Sequence, residues 1–217
     1  MATVEKNVLE TLIVPDQKSQ FPILAHGLLE ALGGLGITRV GVAIAILNNE
    51  GEVLVEGHRG NHKVLPGTLC LPTETSKVSR EGDIEDVART MARGIAEELD
   101  YDPQPGDFTT RSAKPYTTTE WPVGNRGVEG AVLGINYAML ARESIADVLV
   151  GPKRNDEIGA AYFIPIENLL RSQVLRPGTE ACITSLRDAS LLDPGALAEV
   201  PVILPDIYDP NLLGPLE

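Results

Sequence analysis

Two adjacent carboxylates, Glu97 and Glu98, close a helical pattern over residues 83–99 and are the residues of this chain best disposed for chemistry. Ile84, Val87, Ala88, Met91, Ile95 and Leu99 recur at three- and four-residue steps and line one stripe of an α-helix. Arg89, Arg93 and Glu97 follow at four-residue steps on another side, where helical neighbours touch. Glu97 then falls inside the polar face, and Glu98, about 100° further round, at its border with the apolar stripe. Carboxylates so placed can aim at one point beside the helix. Their oxygens suit a hard divalent cation, and Mg2+ takes one or two carboxylates, completing its shell with water and substrate phosphates. The plain alternative is a solvated face laced with i,i+4 pairs.

Such a helix needs a scaffold. Residues 38–47, rich in Val, Ile and Ala, read as a buried strand. Asn48-Asn49-Glu50-Gly51 is turn chemistry, and 52–57 return as a second strand to make a hairpin. Upstream, 1–20 read as an extended arm or short edge strand. Residues 22–32 read as a helix ended by Gly33-Gly34, with His26 packed or solvated within it. The most cationic short stretch, His58-Arg59-Gly60-Asn61-His62-Lys63, is either a solvated loop or a patch that receives phosphate. Gly67 and Pro72 then punctuate a short apolar strand, a polar loop runs over 73–82, and Asp83 is placed to cap the helix. Further on, 108–118 and 130–140 read as strands around a turn-rich tip that holds Trp121 and Arg126. Residues 180–188 form a last helix capped by Thr179, and the Pro-rich 192–217 an extended tail.

Composition bounds the function. The 217 residues are long enough to bury a substantial core, and 43% apolar with 23% charged residues is ordinary for a globular protein. A formal charge of −13, offset by no run of Lys and Arg, argues against a nucleic-acid partner. No apolar run reaches membrane-spanning length and no signal-peptide core precedes the first strand, so a cytoplasmic protein that engages no membrane is expected. Cys70 and Cys182 lie far apart, match no metal-ligand spacing and read as buried free thiols of a reducing compartment.

Residues 67–101 resemble the Nudix hydrolase signature. The strand Gly67-Thr68-Leu69-Cys70-Leu71-Pro72, a loop, and Arg93-Gly94-Ile95-Ala96-Glu97-Glu98-Leu99-Asp100-Tyr101 carry the likeness. Arg93 matches the motif's Arg, Ile95 and Tyr101 its apolar positions, Glu97 and Glu98 its metal-binding pair, and Glu85 its isolated Glu. The departures are as specific. Gly94 stands where the motif has a Glu, Asp100 where it closes with Gly, Thr73-Glu74 where Gly-Gly is usual, and Ser79 in the first Gly position when counted back from Arg93. The loop before the helix is also too long. A glycine within a helix costs about 1 kcal/mol against alanine, which points to close approach at that spot or to a lost carboxylate.

The resemblance implies an α/β/α sandwich with a mixed β-sheet over 37–190, preceded by an arm and helix in 1–36 and followed by the tail 191–217. It implies hydrolysis of a small-molecule diphosphate, a nucleoside diphosphate linked to another moiety, with Mg2+ or Mn2+ held by Glu97, Glu98 and Glu85. A diphosphate is anionic and poorly electrophilic, so its cleavage needs a metal to neutralise charge and activate water. Glu98, Arg93 and Glu157 are the expected catalytic residues, with Glu157 preferred over Glu74, Glu120 and Glu129 as the loop acid that takes a proton. Arg59, Lys63 and Arg126 would receive phosphates, and Trp121 or Tyr116 would stack on a ring. Relatives are often dimers, so a homodimer is expected. The altered box also leaves open a catalytically impaired binder of a nucleotide-like ligand.

Overall fold

In the computed structural model the residues described are 13–14, 21, 23–24, 27–34, 36–61, 66–79, 83–110, 116–120, 131–154, 156–198 and 200–205. Strand β3 (Ile37–Leu47) runs through the centre and divides its side chains between two cores. Val40, Val42, Ile44 and Ile46 join one, Ala45 and Leu47 the other, because successive side chains of a strand point to opposite faces. That double burial is why the strand is almost continuously apolar in sequence.

Helices cover both faces. On the first, α1 (Leu28–Gly33), α2 (Val87–Leu99) and α3 (Glu143–Leu149) contribute Leu28, Leu32, Val87, Met91, Ile95, Leu99, Ile145 and Leu149. On the second, α4 (Ile166–Leu170), α5 (Pro177–Asp188) and α6 (Pro194–Leu197) contribute Leu169, Cys182, Ile183, Leu186 and Leu197. The layers are those of an α/β/α sandwich. Beside β3 lie β4 (Glu52–His58) and β9 (Ala131–Ala141), and outward from these β11 (Ile158–Pro165), β10 (Gly151–Pro152), β7 (Phe108–Thr110) and β12 (Val200–Pro201). Their order is β10-β11-β4-β3-β9-β7-β12, with β3 and β9 parallel and the other pairs antiparallel, so the sheet is mixed.

The hairpin forms as its sequence predicts. Asn48 Oδ1 accepts from Glu50 N at 3.1 Å and Glu52 N at 2.9 Å, and Gly51 takes φ +78°. Beyond Leu47↔Val53, however, β3 and β4 diverge. Into that fork runs β5 (Leu69–Cys70), paired to β4 through Glu56↔Cys70, and then β6 (Thr73–Thr75), paired to β3 through Ala43↔Thr73 and Val42↔Glu74. Pro72 sits at the crossing, where its carbonyl accepts from Ile44 N at 2.9 Å and its missing N–H costs nothing.

Several elements depart from the sequence reading. Residues 22–32 are not one helix: β2 (Ile23–Leu24) pairs with β1 (Ile13–Val14), and α1 begins only after Gly27, whose φ of +81° is left-handed. Helix α2 is capped by Asp86, which accepts from Arg89 N at 2.9 Å, and not by Asp83. The residues before it are extended, with Ile84 bridging Val78 and Glu85 N donating to the Lys77 carbonyl at 2.8 Å. Helix α5 starts at Pro177 with Arg176 at the N-cap, so Thr179 lies inside it. Over 108–118, β7 and β8 (Tyr116–Glu120) are separate strands, both on β9. The tail 192–217 contains α6 and β12, and its residues from 206 onward lie outside those described, as does His26.

At the far end of α2 the altered box position is legible. Asp100 adopts φ +53°, a left-handed cap that glycine takes most readily. Its Oδ2 accepts from Arg154 N at 2.7 Å, which fixes the aspartate there.

Candidate active site

Arg93 is the hub of the polar side of α2. Its guanidinium meets Glu85 twice, Nη2 to Oε2 at 2.8 Å and Nε to Oε1 at 3.3 Å. Nη2 also donates to the Thr75 carbonyl at 2.7 Å, and Nη1 pairs with Glu74 Oε1 at 2.9 Å. Glu97 is only a distant partner, at 3.7 Å. Arg93 therefore ties the helix to β6 on one side and to the segment before the helix on the other. Glu85 has both oxygens engaged, since Lys77 N and Thr90 Oγ1 also donate to Oε2, each at 3.1 Å. Burial raises the Glu85 carboxyl, but the bonds from Arg93 and its neighbours outweigh that and hold it below the ordinary range. Glu85, expected as a metal ligand, is engaged here by Arg93, Lys77 N and Thr90 Oγ1.

Glu97 and Glu98 part company. The Glu97 side chain is 55% exposed on the outer face. Glu98 turns into the fork, where its Oε2 accepts from Thr73 N at 2.9 Å and its carboxyl is hydrogen-bonded to that of Glu56. Burial first, then the negative charges of Glu56 and Glu74, push Glu98 well above the usual carboxylate range. Glu56 is wholly buried on β4, and burial pushes it up to about 8 despite the bond with Glu98. Glu56 Oε1 is buried with no hydrogen-bond partner.

Around this pair stand further groups. Cys70 Sγ lies 3.9 Å from Glu56 Oε2 and 3.3 Å from His58 Nε2, whose Nδ1 is 3.0 Å from Thr68 Oγ1. Lys153, only 6% exposed, donates from Nζ to the Leu99 carbonyl at 2.9 Å, which satisfies the end of α2. Burial lowers its pKa while Asp100 and Glu56 draw it back up.

Glu56 and Lys153 are the residues sequence reasoning missed. Glu56 left a signal, an acid ending the apolar run Val53-Leu54-Val55 on a strand buried on both faces. Of the acids weighed for taking a proton, Glu74 is at the fork, whereas Glu157 is exposed at the start of β11, its carbonyl accepting from Arg59 N at 2.9 Å. Arg59 is exposed as well and donates from Nη2 to the Lys153 carbonyl at 3.0 Å. Lys63, Trp121, Arg126 and Glu129 lie outside the described residues.

The donor set is one of oxygens, and the unsatisfied Glu56 Oε1 is what a hard cation would complete. Among the described residues, no three His, Cys, Asp or Glu side chains already form a cage.

Among solved structures, the chain is similar to the MutT protein from Methanosarcina mazei Go1, at 20% identity and TM-score 0.48 over 70% of this chain and 94% of that one. It is similar to a Nudix hydrolase from Nitrosomonas europaea, at 16% identity and TM-score 0.46 over 75% and 97%. An Ap4A hydrolase from C. elegans, in a binary complex, is similar at 11% identity and TM-score 0.48 over 70% and 97%. No protein-family model matches the sequence, and no curated protein does.

Proposed function

We propose that this chain is a Nudix-type hydrolase that cleaves a small-molecule diphosphate, a nucleoside diphosphate linked to another moiety, with Mg2+ or Mn2+. The observation that carries the reading is the fork that sets Glu98, held by Thr73 N at 2.9 Å, beside the wholly buried Glu56, whose Oε1 no protein group satisfies. A divalent cation bound there would neutralise both acids and occupy the open oxygen. Glu98 and Glu56 would hold the ion, and Glu97, exposed on the outer helix face, would contribute to its binding. Arg93 is a positioning residue, braced by Glu85. When bound, the ion neutralises charge developing on the phosphates and lowers the pKa of the attacking water.

On the substrate side, Arg59 and, from the sequence, Lys63 and Arg126 meet phosphate, and Trp121 stacks on the ring. Glu98, or Glu157 beside Arg59, would take the proton of the attacking water. Cys70 and Cys182, buried and in no disulfide among the described residues, support a reducing, cytoplasmic setting. No helix among the described residues is long and apolar enough to cross a membrane. A homodimer belongs to the same proposal.

A panel of nucleotide and non-nucleotide diphosphates, assayed with each ion, tests the reading. Turnover should require the ion, and Glu98→Gln should lower kcat by at least about a hundredfold. Glu97→Gln should cost about tenfold, chiefly in metal affinity. Cleavage indifferent to Glu98→Gln, or no cleavage with either ion, overturns it.

A further inference from the structure

Gly94 marks a collision avoided. A Cβ built on it would lie 2.9 Å from Glu74 Cβ and 3.7 Å from Glu74 Cγ, and real Cβ atoms essentially never come within 3.0 Å of a neighbour. The atom in the way is not the tip of a flexible side chain but its root, fixed to β6 by pairing with Val42. Side chains rooted at 94 and at 74 would leave from nearly the same point in space, so the fold admits one of them. In this chain the one present is an acid.

Glu74 is also held. Its Oε1 accepts from Thr75 N at 2.8 Å and pairs with Arg93 Nη1 at 2.9 Å. Among the described residues Oε2 has no hydrogen-bond partner, and the side chain keeps 18% of its surface exposed. Its charge is felt by Glu56 and Glu98. The buried, unsatisfied Glu56 Oε1 independently points to a ligand at the same fork.

We propose that Glu74 supplies, from strand β6, the carboxylate that a Nudix box carries at helix position 94. The acids assigned to the ion in this chain are then Glu98, Glu56 and Glu74, two of the three carried on strands. Thr73-Glu74 in place of Gly-Gly and Gly94 in place of Glu become one exchange: the acid moved across the contact, and the glycine moved the other way. The proposal rests on the hydrolase reading above and concerns which residues serve it.

Mn2+ binding to the full chain, followed by loss of the free-ion electron paramagnetic resonance signal, tests it without reference to turnover. Glu74→Gln should weaken Mn2+ by about tenfold or more. The double exchange Glu74→Gly with Gly94→Glu should return affinity to within about threefold of the parent, a coupling expected only of residues that share one place. Gly94→Ala should lower the melting temperature in the parent and leave it unchanged in the Glu74→Gly background. If Glu74→Gln binds Mn2+ as the parent does, the proposal falls while the hydrolase reading stands. A double exchange that melts like the parent yet binds as weakly as Glu74→Gln also overturns it. A parent chain that binds no Mn2+ overturns both. Where the double exchange does not fold, Glu74→Gln decides alone.

Discussion

Burial pushes the Glu56 carboxyl from the ordinary 4.5 up to about 8, against the hydrogen bond with Glu98 that pulls it down. Between those values the folded chain holds a proton that the unfolded chain has released. Stability from this group is therefore fully present below pH 4.5 and lost as pH rises through about 8. The effect is on the order of a few kcal/mol. Metal-free protein should melt at a lower temperature near pH 8.5 than near pH 5.5, by several degrees. Glu56→Gln, neutral throughout, should flatten that slope, and melting curves in chelator across the window check it. Arg93 works in the opposite sense. Its removal strands Glu85, whose side chain is 1% exposed, so Arg93→Ala should cost about 3–5 kcal/mol in urea denaturation. Arg93→Lys should recover only part, because a lysine offers no fork to meet Glu85 twice. The Arg93–Glu85 contact, eight residues apart, spans the cap of a helix and an extended segment. Sequence spacing showed the two acids and the arginine but not which acid the arginine would claim.

The elements explain which parts of the site could be read in advance. Helix α2 was legible because its stripe, Val87, Met91, Ile95 and Leu99, obeys one period and faces one core. Its start was not, because Asp83 and Asp86 are equally good caps by type and the choice is made by pairing upstream. Ile84 bridges Val78 and Glu85 N donates to Lys77, which keeps 83–85 extended and leaves Asp86 to turn the chain. Asp86→Ala should then cost about 1 kcal/mol of stability, and Asp83→Ala only a few tenths. Equal losses in the two variants would return the cap to Asp83. The fork between β3 and β4 was less legible still. The hairpin showed in its turn residues, but nothing local says that its strands part after Leu47↔Val53 to admit residues 69–75. That long-range pairing sets Glu56 opposite Cys70 and brings Glu74 against Gly94. The two acids that sequence spacing could not connect to Glu98 are connected to it by this fork.

At the scale of the whole molecule, the sandwich was legible only through the resemblance of residues 67–101, while the apolar 38–47 showed a buried strand, which requires layers above and below. The charge was legible too, and it works against the site. A chain of formal charge −13 that gathers Glu56, Glu74 and Glu98 at one fork opposes its own ionisation there. Lys153 relieves some of this, but its Nζ is spent on the Leu99 carbonyl. A divalent ion that binds the folded chain and not the unfolded one supplies the missing positive charge as stability. At a hundredfold excess over its Kd the gain is about 2.7 kcal/mol. For a chain of this size that raises Tm by about 5–10 °C. Mg2+ at neutral pH should produce this rise, and chelator should reverse it. Screening alone would also stabilise so acidic a protein, so sodium chloride at matched ionic strength is the control. The rise should exceed the salt effect in the parent and shrink to it in Glu98→Gln. Equal rises with Mg2+ and with sodium chloride would mean that the fork holds its acids with no ion in its design.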